Sequence, residues 1–340
     1  MRASAPDAES VERFRCDFEA VLGRPVAAGE LIALAVSGGP DSMAMLALAH
    51  AAFPGQALAA TVDHRLRAES AGEAAMVARY CATAGIAHET LSIATPPGVG
   101  DNIQSWARQE RYVLLRRWAA ESGAASLATA HHADDQAETF LMRAARGSGL
   151  AGLAAVRARQ DMEMEIAGHR QTLMLVRPLL GWRHQELRVV ATNATVPFVD
   201  DPSNADDRFD RTRFRRLLAT APWIDPVQIG RSAAHLAEID ADMLAVSQWL
   251  WTQRALPGDN EVRFDVAGLP RVIRRYLVRI AIDYILRVND KSAGSWSHAA
   301  NVEALLDALE AGKAATQAEV MASAKDQVWH FRQAPPRRSH

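Results

Sequence analysis

A loop rich in serine and glycine is the first stretch of the sequence whose residues could do chemistry. Residues 31–36 read LIALAV, an apolar run typical of a buried strand, and residues 37–42 read SGGPDS. Adjacent glycines let the backbone turn tightly and approach an anion closely. The N–H groups of such a turn, with the N-terminus of a following helix, bind phosphate. The predicted phosphate site consists of Ser37, Gly38, Gly39, Pro40, Asp41 and Ser42.

Asp41 is an unusual residue in a phosphate site, because two negative charges repel each other. It fits if Mg²⁺ lies between its carboxylate and the phosphates. The loop is not a Walker A motif, which requires a lysine, since lysine occurs only at Lys291, Lys313 and Lys325. The simpler alternative is an ordinary turn from a strand into a helix, with no ligand.

A second group of chemical residues, HHADDQAET at residues 131–139, follows the apolar run at 126–130. A helix starting near residue 133 places Asp134, Asp135 and Glu138 close to one face. Crowded carboxylates need a cation, either Mg²⁺ or the ammonium group of a substrate amine. One alternative is an acidic first turn that the helix dipole favours. A zinc site at His131 and His132 is a weaker alternative, because no third ligand has a recognisable spacing.

Short apolar runs alternate with helical patterns through the first half of the chain. This order is typical of an α/β fold with a doubly wound, largely parallel sheet. The predicted strands are residues 31–36, 58–62, 89–93, 126–130 and 173–176. The predicted helices are residues 42–52, 69–84, 102–122 and 134–145.

The pattern changes after residue 216, where prolines at 222 and 226 interrupt the chain. We predict a catalytic domain over residues 1–216 and a smaller, mainly helical domain over residues 217–332. The second domain contains helices at 231–253, 271–288 and 297–311, with a short strand at 261–266. Residues 333–340 are predicted to be a frayed tail.

The composition excludes several classes of protein. The 340 residues are 49% hydrophobic and 23% charged, with a net charge of −2, as in a globular protein whose nucleic-acid surface, if any, is local. Two cysteines exclude a disulfide framework and a cysteine-ligated zinc site. The first residues lack the apolar core of a signal peptide, and the apolar runs are too short to span a membrane. We therefore expect a cytoplasmic protein without a membrane partner.

The motifs, taken in order, resemble a known family. The string S-G-G-x-D-S resembles the PP-loop ATP pyrophosphatases, which cleave ATP between the α- and β-phosphates. The string H-H-x-D-D-Q-x-E-T, followed by Arg146-Gly147-Ser148-Gly149-Leu150, resembles the tRNA(Ile)-lysidine synthetases. Matching blocks between residues 30 and 216 are Thr61-Val62-Asp63-His64, Ala107-Arg108, Arg111-Tyr112, Arg177-Pro178-Leu179-Leu180 and Asp200-Asp201-Pro202-Ser203-Asn204.

This resemblance implies a reaction and its participants. ATP, with Mg²⁺, adenylates the C2 oxygen of the wobble cytidine in an isoleucine tRNA with a CAU anticodon, releasing pyrophosphate. The ε-amine of free L-lysine then displaces AMP, which forms lysidine. The resemblance also implies that residues 37–42 bind ATP, with Asp41 holding the metal, and that Arg111, Asp135 and Glu138 bind lysine. Asp41, Asp135 and His132 are the catalytic candidates, and either His132 or a nearby carboxylate is the base. A homodimer is possible.

A tRNA-binding surface must come from local clusters of arginine. Arg271, Arg275 and Arg279 form one stripe at helical spacing, which suits contacts with phosphates. The alternative is a solvated or salt-bridged helix face. The tRNA-binding candidates are Arg146, Arg211, Arg215, Arg271, Arg275 and Arg279.

Two other functions stay open for this sequence. A PP-loop enzyme that thiolates a tRNA base would need a catalytic cysteine or a C-x-x-C cluster site, and Cys16 and Cys81 lie in neither context. A nucleotide-binding module without catalysis would bind ATP but release no pyrophosphate. A superfamily amidotransferase would need a glutaminase domain or partner, and no such domain is visible in the sequence.

Overall fold

Six strands form a largely parallel sheet in the first half of the chain. They are β1 (Ile32–Ala35), β2 (Ala57–Asp63), β3 (Ala87–Ser92), β4 (Ser126–Thr129), β5 (Arg159–Ile166) and β6 (His169–Val176). Their order across the sheet is β3-β2-β1-β4-β6-β5, and β5 runs antiparallel to β6 whereas the other neighbours are parallel. The order reverses between β1 and β4. In doubly wound folds, the crevice beyond the carboxyl ends of the strands at this switch point binds ligands.

Helices precede and connect these strands. The computed structural model describes residues 4–65, 70–94, 96, 98, 102–166, 169–200, 210–289, 296 and 300–335. The helices of this part are α1 (Ala8–Leu22), α2 (Pro40–Ala52), α3 (Ser70–Ala84), α4 (Ile103–Glu121), α5 (Ala133–Ala145), α6 (Leu150–Leu153), α7 (His184–Asn193) and α8 (Asp210–Thr220).

The core of this part lies on both faces of β1. Ile32 and Leu34 are fully buried in one cluster with Met43 and Leu46 of α2, while Ala33 belongs to a second cluster with Leu127 of β4. A central parallel strand is covered on both faces, so a continuous apolar run is what it requires. Each large side chain buried in this way contributes about 1.5–3 kcal/mol relative to an exposed one. This packing holds the end of β1, where the glycine loop begins.

The predicted fold class is confirmed, since the chain has a doubly wound, largely parallel sheet followed by a second region rich in helices. Each of the five predicted strands overlaps one of the strands β1, β2, β3, β4 and β6. Strand β5 was not predicted, although Met162 and Met164 alternate there with charged residues, because acidic residues are uncommon in strands. Helices α1, α6, α7 and α8 were also not predicted.

The later part of the chain contains α9 (Pro226–Arg254), α10 (Arg271–Val288) and α11 (Glu303–Glu310). Its strands are β7 (Ala255–Gly258), β8 (Glu261–Asp265), β9 (Ala315–Gln317), β10 (Val320–Lys325) and β11 (Val328–Gln333), paired as an antiparallel sheet in the order β7-β8-β11-β10-β9. The chain divides into two compact units after Ala234, within α9, and the second unit also includes residues 149–152.

This sheet was largely absent from the sequence-based expectation, which had only the strand at 261–266. Residues 333 and 334, predicted to begin a frayed tail, are bonded instead. Gln333 pairs with Val320 in the sheet, and the Ala334 N–H donates to the Glu319 carbonyl at 2.7 Å. Residues 336–340 and 297–299, on which the tail and helix predictions also fall, lie outside the described residues. Among the helices described, none is both long and apolar enough to cross a membrane.

Candidate active site

The two predicted chemical motifs follow neighbouring strands and meet at one cleft. Strands β1 and β4 are adjacent at the switch point, with Ile32 opposite Ser126. The loops that leave their carboxyl ends therefore lie side by side. A cleft of about 1000 Å³ opens there. It is lined by all of residues 37–42 and by Arg111, His132, Asp135 and Glu138.

The glycine loop is held by hydrogen bonds within itself. The Ser37 N–H donates to Ser42 Oγ at 3.1 Å, and Ser42 Oγ donates to the Gly39 carbonyl at 3.0 Å. Gly38 has a φ of +89°, and an added Cβ would lie 3.4 Å from Met76 Cε, so the position requires glycine. Pro40 begins α2 directly after Gly39. The loop thus presents the N-terminus of α2 to the cleft, as an anion site requires.

His132 and Asp135 close the N-terminus of α5 with a reciprocal pair of hydrogen bonds. The Asp135 N–H donates to His132 Nδ1 at 3.4 Å, and the His132 N–H donates to Asp135 Oδ2 at 3.2 Å. This capping box satisfies two backbone donors that the helix leaves unpaired. It also fixes both side chains at the wall of the cleft. His131 is positioned separately, because its Nδ1 lies 2.9 Å from Thr129 Oγ1.

Asp134 is engaged by the segment that begins α7. The His184 N–H donates to its carboxylate at 2.8 Å, and Arg183 Nε donates to it at 3.2 Å. Burial of Asp134 works against its charge, but the bonds from His132, His184 and Arg183 outweigh it and lower its pKa well below the usual range. Asp134 is therefore a stable anion that ties α5 to α7.

His132 is buried among three carboxylates. Its Nε2 lies 3.6 Å from Asp41 Oδ2 and 3.5 Å from Asp135 Oδ2, and its Nδ1 lies 3.6 Å from Asp134 Oδ2. Burial of the ring disfavours the imidazolium, but the three acids outweigh burial and raise the pKa of His132. The three carboxylates therefore favour the protonated form of His132 at the wall of the cleft.

Asp41, His132 and His184 form a cluster whose ligand atoms lie within 4.8 Å of one another. The closest pair is His184 Nδ1 and Asp41 Oδ1, 2.7 Å apart. Mg²⁺ prefers oxygen ligands, and Asp41, at the start of α2 beside the phosphate loop, offers a carboxylate in the right place. The zinc alternative named His131 and His132. The cluster contains His132 but not His131, and its second histidine is His184.

The residues predicted to bind lysine line one cleft, but one of them is already paired. Glu138 is 1% exposed, and Arg215 Nε donates to its carboxylate at 2.7 Å. Arg111 is half-buried, and burial lowers the pKa of its guanidinium. Within the described part of the chain, Arg111 has no ion pair. The cleft therefore offers the guanidinium of Arg111 together with the carboxylate of Asp135 at its wall.

The arginines predicted to bind tRNA fall into different settings. Arg146 is exposed at the end of α5, while Arg215 lies in the cleft against Glu138. The side chain of Arg211 lies outside the described residues. Arg271 pairs with Glu303, Asp307 and Glu310, Arg275 pairs with Glu303, and the buried Arg279 donates to the Ala300 carbonyl. The stripe on α10 is thus the salt-bridged helix face given as its alternative, and its role in tRNA binding stays a prediction.

Arg183 and His184 contact the site but were not among the predicted site residues. Asp41 and His184 are separated by 143 positions in the chain. The sequence could have pointed to them only through their position, because they closely follow the matching block that ends at Leu180. Polar residues so near a block shared with a family are candidates for the same site. The two cysteines do not line the cleft: Cys16 is exposed on α1, and Cys81 is buried in α3.

Comparison with known proteins gives a consistent result. Residues 12–221 match the family of PP-loop domains. The tRNA(Ile)-lysidine synthase of Novosphingobium aromaticivorans is 40% identical over 332 residues, which cover 97% of this chain and 95% of that protein. The tRNA(Ile)-lysidine synthase of Zymomonas mobilis is 40% identical over 323 residues, covering 94% and 92%.

A solved structure shares the fold at low identity. The U34-tRNA thiolase of Methanococcus maripaludis superposes with a TM-score of 0.54 at 17% identity, covering 68% of this chain and 79% of that one. Identity at this level shows the fold alone. The family match and the similarity to relatives over nearly their whole length go further: the chain belongs to the tRNA(Ile)-lysidine synthase family of PP-loop, tRNA-modifying enzymes.

Proposed function

We propose that the chain joins free L-lysine to C2 of the wobble cytidine in isoleucine tRNA with a CAU anticodon, at the expense of ATP. The proposal rests on one observation: the glycine loop at residues 37–42 and the motif at residues 131–139 line the same cleft. A phosphate loop at a helix N-terminus faces a wall that holds carboxylates and an unpaired arginine. A reaction between ATP, a base and an amino acid needs all three kinds of group within reach of each other.

Residues 37–42 bind the triphosphate of ATP in this proposal. The backbone N–H groups of Gly38 and Gly39, the hydroxyls of Ser37 and Ser42, and the N-terminus of α2 all favour an anion. Bound Mg²⁺ would be held by Asp41 and would neutralise charge on the pyrophosphate as it leaves. The cytosine O2 attacks the α-phosphorus, the bond to pyrophosphate breaks, and an adenylated base results.

Asp135 and Arg111 bind the two ends of lysine in this proposal. A carboxylate suits an ammonium group, and a guanidinium suits a carboxylate. Glu138 is available to the amine only when Arg215 moves or shares it, because the two are already bonded. The ε-amine loses a proton and attacks C2, and the C2–O2 bond to AMP breaks. The proton goes to His132 or to a nearby carboxylate, the two candidates for the base.

The test uses the purified chain, Mg-ATP, labelled lysine and an unmodified transcript of isoleucine tRNA with a CAU anticodon. We expect label on this transcript and none on a methionine tRNA transcript. Pyrophosphate release with no lysine incorporation, in the presence of another acceptor, would reject this function and favour a different PP-loop modification such as base thiolation. The absence of pyrophosphate release with any acceptor would favour a binding module.

The Asp135→Asn variant tests the lysine site without removing the helix cap. Asparagine can still accept the His132 N–H through its amide oxygen, so α5 keeps its capping bond, but the negative charge is lost. We expect lysine incorporation to fall by a factor of about 100 or more with little change in the affinity for ATP. Glu121→Gln, on the exposed side of α4, is the matched control and should be fully active. Near-normal turnover by Asp135→Asn would remove Asp135 from the site.

The homodimer also stays a proposal. Light scattering of the full chain over a range of concentrations tests it directly.

A further inference from the structure

Helix α4 carries a cluster of arginines around one aromatic ring. Arg108, Tyr112 and Arg116 are spaced four residues apart, so they share one face of the helix. The guanidinium carbons of Arg108 and Arg116 lie 5.1 Å and 5.6 Å from the centre of the Tyr112 ring. Arg177, which directly follows β6, is 6% exposed and contacts the same tyrosine. We call Arg108, Tyr112, Arg116 and Arg177 the α4 cluster.

The α4 cluster has no carboxylate to balance it among the residues described. Arg108 and Arg116 form no ion pair there, and Arg177 donates to the backbone carbonyl of Arg157. The Nε atoms of Arg116 and Arg177 are both buried without a hydrogen-bond partner. Burial and the neighbouring charges of Arg108 and Arg116 lower the pKa of Arg177, despite the favourable contact with Tyr112. Uncompensated positive charge is unfavourable in the protein alone, and an anion bound beside Arg108 and Arg116 would balance it.

A groove of about 370 Å³ runs along this face of α4. Ser105 and Gln109 add neutral hydrogen-bonding groups to its wall, and no acidic side chain lines it among the described residues. Arg108 and Tyr112 line both this groove and the candidate active site. The groove is therefore a neighbour of the reaction centre and shares a wall with it.

We propose that the α4 cluster binds the backbone phosphodiester of the RNA substrate, next to the base that enters the cleft. This inference rests on the proposed function, since it takes the cleft to hold a base of an RNA chain. Two observations favour RNA over a free phosphate compound. None of residues 37–42, which the proposed function gives to the ATP phosphates, lines the groove. The groove also combines arginines with an aromatic ring, a combination typical of single-stranded RNA recognition.

The double variant Arg108→Ala/Arg116→Ala tests the proposal. The measurement is the dissociation constant of a CAU anticodon stem-loop RNA at several salt concentrations. We expect affinity to fall about tenfold to a hundredfold. The slope of log affinity against log salt should decrease by about 1.4, because each single-strand phosphate that the protein neutralises contributes about 0.7. The fall in affinity should be equal for isoleucine and methionine stem-loops, because phosphates carry no sequence information.

Arg117→Ala is the matched control. Arg117 lies on the same helix but faces away into an ion pair with Glu121, so its removal should leave RNA affinity and the salt slope unchanged. The affinity of the single variant Arg116→Ala for ATP should also be unchanged, because Arg116 lines the groove and not the cleft. Arg108→Glu is the second variant, because Arg108 is exposed and its reversal does not disturb the core. It should weaken RNA binding at least as much as Arg108→Ala.

Several outcomes would overturn the proposal. An unchanged salt slope in both the double variant and Arg108→Glu would show that the α4 cluster does not contact phosphate of RNA. Loss of ATP or pyrophosphate affinity without loss of RNA affinity would assign the α4 cluster to the nucleotide instead. Failure of the proposed function would give a different result. If the wild-type chain makes no lysidine but the variants show the expected changes in salt slope, RNA binding at the α4 cluster stands and only the proposed reaction is rejected.

Discussion

Helices α4 and α10 each carry arginines along one face, but in opposite electrostatic settings. On α4, Arg108 and Arg116 flank Tyr112 and have no carboxylate partner among the described residues. On α10, Arg271 and Arg275 are paired with the acids of α11, and Arg279 is buried. Spacing along a helix determines which side chains share a face, and the neighbouring element determines whether their charge is available to a ligand.

The difference arises from one short helix. Glu303, Asp307 and Glu310 lie along one face of α11, and all three contact Arg271. These acids are 32–39 positions away from Arg271 in the chain, beyond the reach of any helical pattern. The ion pairs of the α10 stripe therefore join α10 to α11, and its role in tRNA binding stays a prediction. The arginines of the α4 cluster have no such pairs among the described residues.

The Arg271→Met/Arg275→Met variant should produce the largest change in stability. It leaves Glu303 and Asp307 without their arginine partners, while Glu310 keeps its ion pair with Arg274. We therefore expect the free energy of unfolding to fall by about 1–2 kcal/mol, a value limited by the partial exposure of these pairs. Urea denaturation measures the change, and RNA affinity should stay at the wild-type value. Weaker RNA binding with unaltered stability would break the comparison and return the stripe to the tRNA surface.

The Arg116→Met variant should change stability in the opposite direction. Methionine keeps the apolar stem and removes a half-buried guanidinium whose Nε has no partner, so we expect a gain of about 0.5 kcal/mol. Denaturation under the same conditions checks this, with Arg117→Met as the control. A clear loss of stability would mean that the cation is already well accommodated, and the contrast between the helices would weaken.

The ring of His88 should give the smallest effect, seen as a dependence on pH. Its Nε2 lies 3.0 Å from Thr61 Oγ1, and burial lowers its pKa below 6.5, although the charge of Glu89 acts in the opposite direction. Because the folded state disfavours the imidazolium, its contribution to stability is present above pH 6.5 and is lost as the pH falls below that value.

Denaturation of wild type and His88→Gln between about pH 7.5 and 5 isolates this contribution. Glutamine can still bond Thr61 but cannot titrate, so the stability of the variant should fall less on acidification. Parallel curves would show that the histidine is not coupled to folding. That result would indicate that a buried imidazolium costs this fold little. It would weaken the argument that the uncompensated charges of the α4 cluster are unfavourable.

The sequence was most informative where chemistry and local structure coincide. Gly38 and Gly39 predicted both a turn and a phosphate site, and the motif from His131 to Glu138 predicted both a helix start and a group of acids. The bond between His184 and Asp41 could not be predicted, because it depends on how α7 packs against α2. The pairing of α10 with α11 was equally hidden, since it is a contact between elements and not a property of either one.

The second sheet was missed for a related reason. Val320–Lys325 reads VMASAK, and small residues of this kind are also common in helices. Its strand conformation depends on pairing with Val328–Gln333 on one side and Ala315–Gln317 on the other. Strand preference of this kind comes from neighbours more than from the residues themselves.

The Gly38 carbonyl accepts a hydrogen bond of 2.9 Å from the N–H of Val199, which lies far beyond the last strand of the first sheet. The glycine loop at residues 37–42 is thus bonded to a piece of chain that is made much later. During synthesis, a nascent chain that has already released β6 from the ribosome would hold every strand of the sheet and still have an unfinished loop. If residues 37–42 bind ATP as proposed, the complete site would form only after residue 199 has left the ribosome, which is late in synthesis of the first unit.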